Sequence, residues 1–472
     1  MKIDDIKALN TNKSIQRAIM VVVLVSNFCM LFGATAINIA VPHIGVEFGV
    51  SATMLNWVLI SMLLVTVVLS IPLGRVADIY GRTWMFKGGA LLSCAASVLI
   101  AVAPNMTLFL LFRVLQGVGF SMIFATGIAI LADAFPADRR GSAIGLSSAA
   151  VFVGQACGPP VGGLLTQAFG WRSIFFALAT LMLVAFVVAM VSLQKDGKPS
   201  APETRKKINT SSIVLFILAF SLLMYGLSSL TQNIWSYPIF AAGVIMIIVF
   251  VKHETRTETP VIEMRLFSAN RTFSRANLAI ILNYSATYAI AYFMSLYLQL
   301  VKGYGADIAG LILLSQPVLQ TILAPFVGKL SDSKPPAIIA VTGMACCAGV
   351  SFLFAFFNED TPVSQIIALL LLTGLGITLF VAPNNTLIMN SVANRDYGVA
   401  SAILSTARSI GQVFGIAVLT IIIGQMIGNT PIVNVSPDAI VGVMRISFFI
   451  FAAVCAAGVF LSPWKGKNGQ TS

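Results

Sequence analysis

Long apolar runs separated by short polar connections occupy the chain almost from end to end. Fourteen of them approach the ~20 residues that a helix needs to cross a hydrocarbon layer. In the amino-terminal part these are 18–40, 54–74, 84–103, 106–129, 143–166 and 173–193; 211–230 and 235–252 follow, and then 274–299, 307–329, 336–357, 365–387, 400–425 and 441–462. Two longer polar connections, 194–210 and 253–273, divide the spans as six, two and six. The pattern predicts an all-α polytopic membrane protein with a six-helix bundle over 1–193, a central two-helix hairpin with its flanking loops over 194–273, and a second six-helix bundle with a short tail over 274–472. The 253–273 connection is open between a short surface helix and an irregular loop.

Composition agrees with the pattern. Of 472 residues 58% are hydrophobic and only 10% charged, and the mean hydropathy is +0.92. A soluble core of that composition leaves a large apolar surface in water, so a lipid-facing surface is the simpler account. The net charge of +12 does not point to nucleic acid, because the basic residues sit between apolar runs and form no compact basic domain. Two His and six dispersed Cys offer no zinc, haem or iron–sulfur spacing, so no metal or other cofactor is expected. The first apolar run ends in Asn38-Ile39-Ala40-Val41-Pro42, lacks a small-residue cleavage signal, and reads as a retained helix.

Charge placement tests the count. With the amino terminus in the cytoplasm, 24 Lys and Arg fall in inward-facing tails and loops, whereas only Arg172 and Lys302 fall plainly outside, with Arg445 near the outer start of the last span. That asymmetry predicts an even number of crossings and both termini on the cytoplasmic side of the cell membrane. Trp57, Trp84, Trp171, Trp235 and Trp464 lie near span ends, where interface anchoring is the default.

The two six-span segments echo each other. Gly74-Arg75-Val76-Ala77-Asp78 at the end of the second span is matched by Gly328-Lys329-Leu330-Ser331-Asp332 at the end of the tenth. Gly154-Gln155-Ala156-Cys157-Gly158 in the fifth is matched by Gly411-Gln412-Val413-Phe414-Gly415 in the thirteenth. The offsets are 254 and 257 residues, which favours duplicated bundles around a central path.

These motifs carry a family resemblance. Gly74 to Arg82, including Gly81, resembles the signature loop between helices two and three of the major facilitator superfamily. Arg113-Val114-Leu115-Gln116-Gly117-Val118-Gly119 resembles its fourth-helix motif, although Phe112 stands where many relatives have leucine. Gly154 to Gly158 with Pro159, Pro160, Gly162 and Gly163 resembles its antiporter motif. With fourteen spans the resemblance is to the proton-driven drug-efflux branch, and it covers nearly the whole chain. It implies alternating access, substrate or proton coupling at Arg113, a gate in which Asp78 and Arg82 hold neighbouring helices, and close packing with leakage control at the antiporter motif.

The residues themselves allow both functional and structural readings. Arg113 beside Gln116 is costly to bury without polar partners, so it is either a coupling site or an interhelical anchor. Arg408, near Ser405, Ser409 and Gln412, is open between a central cavity and helix packing. Tyr284, Tyr288 and Tyr292 recur every four residues and share one helix stripe, which suits stacking against planar ligands or packing between helices. Asn38, Gln316 and Gln320 interrupt apolar spans as further binding candidates. Asp133 and Asp332 are weaker gating candidates at span ends.

One departure from the branch matters. Its exporters commonly carry an aspartate in the first helix, where this chain has Gly33, and none of the 17 acids lies deep in a span. A buried carboxylate could exchange a proton for a lipophilic cation; without one, neutral or anionic compounds gain weight. The leading expectation is a proton-coupled exporter of varied amphipathic compounds, with small-molecule substrate, protons and membrane lipids as partners and no nucleic acid or obligatory protein partner. The alternatives are an exporter or facilitator of one endogenous neutral or anionic compound, and a membrane sensor without transport. No catalytic cluster suggests an enzyme.

Overall fold

The computed structural model describes residues 13–193, 209–230, 234–257, 260, 262, 264–392, 397–428, 430–431 and 434–462. Among them, 14 helices are long and apolar enough to cross a bilayer. The first six are α1 (Lys13–Phe48), α2 (Ala52–Tyr80), α3 (Arg82–Ala101), α4 (Met106–Ala134), α5 (Ala137–Phe169) and α6 (Arg172–Ser192). A hairpin follows, α7 (Thr210–Ser228) and α8 (Ser236–Arg256). The last six are α9 (Arg271–Leu296), which runs on into a π-turn over Tyr297–Val301, α10 (Ala306–Ser333), α11 (Pro336–Phe354), α12 (Val363–Asn390), α13 (Tyr397–Met426) and α14 (Pro437–Leu461). In the connection before α9, residues Met264–Ala269 form the short helix.

Most helices overrun the apolar segments that identify them, because caps rather than hydropathy set where a helix stops. Asn105 accepts the Leu108 N–H at 2.9 Å to start α4, and Asn270 accepts the Phe273 N–H at 3.0 Å to start α9, each satisfying a backbone donor that the first turn leaves free. The segment Gly74 to Arg82 is correspondingly less of a loop than its glycines suggest. Gly74 lies inside α2, and Gly81 makes the turn with φ 116° before α3 starts at Arg82, a conformation that a side chain would strain.

Two six-helix bundles pack by the same rule. In the first, α1 lies against α5 and α6, α4 against α2 and α3, and α3 against α6; in the second, α9 lies against α13 and α14, α12 against α10 and α11, and α11 against α14. Glycine contacts repeat, to within one residue, with the offsets that the sequence echoes show. A Cβ on Gly89 would stand 2.7 Å from the Gly119 carbonyl, and one on Gly343 2.7 Å from the Gly376 carbonyl. Gly117 against the Met62 carbonyl is repeated by Gly374 against the Gln316 carbonyl, and Gly154 against Phe28 by Gly411 against Ile281. Each is a point where two backbones touch because no side chain separates them.

The bundles meet along two seams, α5 with α10 and α2 with α13, which the repeat makes equivalent. The hairpin breaks that equivalence, since α7 packs on both α2 and α13 and Trp57 stacks at 5.6 Å on Tyr225. Trp84 and Trp235 are exposed, as interface anchors should be, but Trp171 is buried with Phe48, Phe109 and Phe175. Its indole donates to Glu47 at 2.6 Å, a packing role that its position at a span end does not reveal. Trp464 lies outside the described residues.

The glycine geometry makes a contrast that can be measured. A Cβ at Gly415 would stand 2.0 Å from the Ser285 carbonyl, whereas one at Gly328 meets nothing within 4 Å. Gly415→Ala should lower the unfolding temperature of the purified protein, with an overpacking cost of roughly 1–3 kcal/mol, and Gly328→Ala should leave it unchanged. Equal melting of the two variants contradicts the packing described.

Candidate functional site

Arg113 is 1% exposed, held between α4 and α2. Its Nε and Nη2 donate to the Val58 carbonyl at 3.2 and 3.0 Å, and Nη1 donates to Gln116 Oε1 at 2.7 Å. Gln116 in turn donates to Ser97 at 2.8 Å, which reaches α3. Both residue types are needed: a buried guanidinium needs acceptors on several sides, and Gln116 supplies one while passing its own donor onward. No carboxylate pairs with Arg113 among the described residues. With Val58, Gln116 and Ser97 on α2, α4 and α3, the network belongs to the first bundle.

Arg408 answers from the other side. It is half-buried on α13, with its guanidinium carbon 5.3 Å from the centre of the Tyr284 ring. Its Nε is buried and has no acceptor among the described residues. The three tyrosines therefore do not share one environment. Tyr284 and Tyr288 are half-buried, whereas Tyr292 is 1% exposed and packs on Phe293. Gln316 is buried at the α10–α12 contact, and Gln320 and Gln412 are half-buried.

The antiporter motif divides its glycines between two neighbours. Gly154, Gly158 and Gly162 face α1, whereas Gly163 faces the first turn of α10 in the other bundle, where a Cβ would meet the Ala306 carbonyl at 2.3 Å. Gly158 leaves the space that the Thr35 hydroxyl fills. Pro159 cannot donate to the carbonyl of Gln155 four residues back, and Thr35 Oγ1 lies 3.3 Å from it, sharing its one proton with the Leu31 carbonyl at 2.8 Å.

The same device joins the bundles. Pro42 inside α1 leaves the Asn38 carbonyl without its helical donor, and Ser295 of α9 donates to that oxygen at 2.7 Å. Gln299, in the π-turn, donates to the next carbonyl, Ile39, at 3.1 Å and to Ser295 Oγ at 2.9 Å. Asn38 thus joins the bundles through its backbone, while its side-chain Oδ1 is buried without a partner among the described residues. Nearby, the Ala306 N–H donates to Gln167 at 3.3 Å and the Ala52 N–H to the Thr430 carbonyl at 3.4 Å. These bonds all lie toward the face where α1 ends and α2 begins, opposite the face where α1 starts and α14 ends. A proline in an apolar run was the available sequence signal for this latch; Ser295 carries no signal by itself.

At the terminal face Arg82, at the start of α3, pairs with Asp133 at the end of α4 at 2.7 Å. The pair is 35% and 66% exposed, so it contributes little to stability. Arg75 donates to the Pro260 carbonyl at 3.4 Å, tying α2 to the connection that follows α8. Glu254 is buried in that connection's base and accepts the Ile262 N–H at 2.8 Å. The side chains of Asp78 and Asp332 lie outside the described residues. No group of three or more potential metal ligands occurs among the described residues.

Two pseudo-equivalent six-helix bundles, joined by hydrogen bonds toward one face, are the architecture of the two-bundle class of membrane transporters. The chain matches the Major Facilitator Superfamily over residues 23–416 and 276–467, and it belongs to that family. It is 26% identical to the riboflavin transporter RibZ of Clostridioides difficile, over 94% of this chain and 96% of that protein. It is 28% identical to the multidrug resistance protein Stp of Mycobacterium tuberculosis, over 85% of this chain and 75% of that one. Among solved structures, a bacterial homologue of the human lysosomal transporter Spinster, in an inward-facing and unoccupied conformation, superposes with a TM-score of 0.71 at 16% identity, covering 95% and 96% of the two chains. The resemblance in sequence thus extends to the multidrug transporter branch, and the structural likeness establishes the fold.

Two measurements follow from the hydrogen bonds. Gln116→Leu leaves a buried Arg113 donor unpaired and should reduce stability by about 1–3 kcal/mol, read as a lower unfolding temperature; an unchanged temperature refutes the network. Ser295→Ala with Gln299→Ala removes two cross-bundle bonds of about 0.5–1.5 kcal/mol each. Spin labels at Val50 and Thr430 should then report a roughly tenfold larger separated population, whereas an unaltered distance distribution shows that these bonds do not hold the face closed.

Proposed function

We propose that this chain is a secondary transporter that exports small amphipathic compounds by alternating access, coupled to protons moving inward. The carrying observation is the latch: hydrogen bonds join the bundles at one face, with α1 and α9 contributing a proline-freed carbonyl and a π-turn. With both termini in the cytoplasm, as the basic loops favour, the latched face is extracellular, and substrate loads from the cytoplasm or the inner leaflet. Rocking one bundle against the other breaks the latch and forms contacts at the opposite face. The relatives' printed roles, riboflavin transport and multidrug resistance, support small, often planar cargo.

The interior favours neutral or anionic cargo over cations. Every described acid in a spanning helix lies in its first or last turn, whereas Arg113 and Arg408 lie well inside theirs. A carboxylate that alternately binds a proton and a cationic drug therefore has no counterpart there. This supports the second reading as well, export of one endogenous neutral or anionic compound. Proton coupling falls to the acids at the terminal face, with Asp78, Asp133 and Asp332 as gating residues beside Arg82, while Arg113 and Gln116 link substrate and coupling.

Reconstitution in proteoliposomes tests the proposal. An imposed proton gradient should drive accumulation of at least one compound in a panel that includes riboflavin and lipophilic drugs of each charge class, and Arg113→Ala should lower that flux by about tenfold or more, as expected for loss of a buried charged hydrogen-bonding group. Flux that ignores the gradient removes proton antiport, and absence of flux for every compound favours the sensor reading.

A further inference from the structure

We propose that Arg408, braced by Tyr284, is an anion-binding site for planar aromatic carboxylates; the inference deepens the transport reading and rests on it for the meaning of the site. Both residues are brought to mid-membrane depth from the same face. Arg408 lies eleven residues after the start of α13 at Tyr397, and Tyr284 thirteen after the start of α9 at Arg271, which places each about 16–20 Å along its helix at ~1.5 Å per residue. Gly411 allows the contact, since its missing Cβ would stand 3.0 Å from Tyr284 Cβ. The guanidinium one turn earlier then lies over the ring at 5.3 Å.

The two interior arginines differ in what they have left to offer. Arg113 already donates from all three of its nitrogens to Val58 and Gln116. Arg408 Nε is buried with no acceptor among the described residues, and no carboxylate pairs with Arg408 there. An unpaired buried donor on a cation is costly to maintain, and a carboxylate at the open end of this half-buried side chain offsets part of that cost by accepting two parallel N–H bonds from Nη1 and Nη2. Tyr284 is a positioning residue, because its ring fixes the plane of the guanidinium. Tyr288, one turn on along α9 toward Arg113, continues the aromatic surface against which the ligand's rings lie.

The test uses the full-length protein in nanodiscs and measures equilibrium binding of three probes of one shape: 2-naphthoate, naphthalene-2-carboxamide and 2-naphthylmethylammonium. Naphthoate should bind at least tenfold more tightly than the amide, and the ammonium probe most weakly. Arg408→Gln should bring naphthoate down to the amide's affinity, and Arg408→Lys, which keeps the charge without the fork, should lie between. Tyr284→Leu should weaken naphthoate binding and Tyr284→Phe should restore it, a rescue that a general loss of packing would not produce. Equal binding of the three probes overturns the proposal, as does an anion preference that survives both Arg408 variants. Arg408-dependent naphthoate binding with no gradient-driven flux of any compound sinks the transport reading and leaves the site standing. Gradient-driven export of cations without naphthoate preference does the reverse.

Discussion

Inside a hydrocarbon layer no water is available to a bare carbonyl or N–H, so each must find a partner in the protein. That constraint organises this molecule. Where α1 is interrupted by Pro42, the freed Asn38 carbonyl is met by Ser295 from the other bundle, and a defect in one helix becomes a contact that joins the bundles. Where α5 is interrupted by Pro159, the Gln155 carbonyl lies against Thr35, and the defect locks two helices of one bundle together. Arg113 obeys the same requirement from the donor side, drawing on a backbone carbonyl of α2 and on Gln116.

Glycine contacts that recur at matching positions give the bundles a common frame, and the departures from that frame carry the chemistry. By the 257-residue offset, Arg113 corresponds to Leu370 and Arg408 to Val151. Each bundle thus holds one interior arginine where the other holds an apolar residue. The hairpin α7–α8 adds a second asymmetry by covering the α2–α13 seam alone. A symmetric scaffold can rock between two states of similar energy, and here it carries an asymmetric pair of interior charges.

Much of this was legible in the chain itself, for physical reasons. Apolar runs and the distribution of Lys and Arg follow from the bilayer, so the fourteen spans could be counted. The Gly154 and Gly411 motifs could be paired because close backbone approach admits no other residue. Arg113 with Gln116 was legible because the two lie three residues apart on one helix and the charge needs an acceptor. The partners of Asn38 and Trp171 were not, since Ser295 and Glu47 lie far away in sequence, and a serine or an acid at a span end carries no sign of whom it meets. The tyrosine stripe left its environment open: fourfold spacing gives a common helix face, but depth along α9 decides that Tyr292 is buried while Tyr284 meets Arg408.

Sorting the polar contacts by whether they cross between bundles separates fixed parts from switching parts. Rigid-body rocking preserves bonds within a bundle and breaks those between bundles. Arg113 with Val58 and Gln116, Arg82 with Asp133, and Arg172 with Glu47 are internal to the first bundle, and Arg408 over Tyr284 is internal to the second. In the proposed cycle they persist. Ser295 to Asn38, Gln299 to Ile39, and the Ala306 N–H to Gln167 cross over, so they must exist in one state only. On the proposed reading an anion held on Arg408 would travel with the second bundle, and its distance from Arg113 in the first would change. Opening the joined face would leave every hydrogen bond that Arg113 makes intact, since Val58 and Gln116 belong to the same bundle.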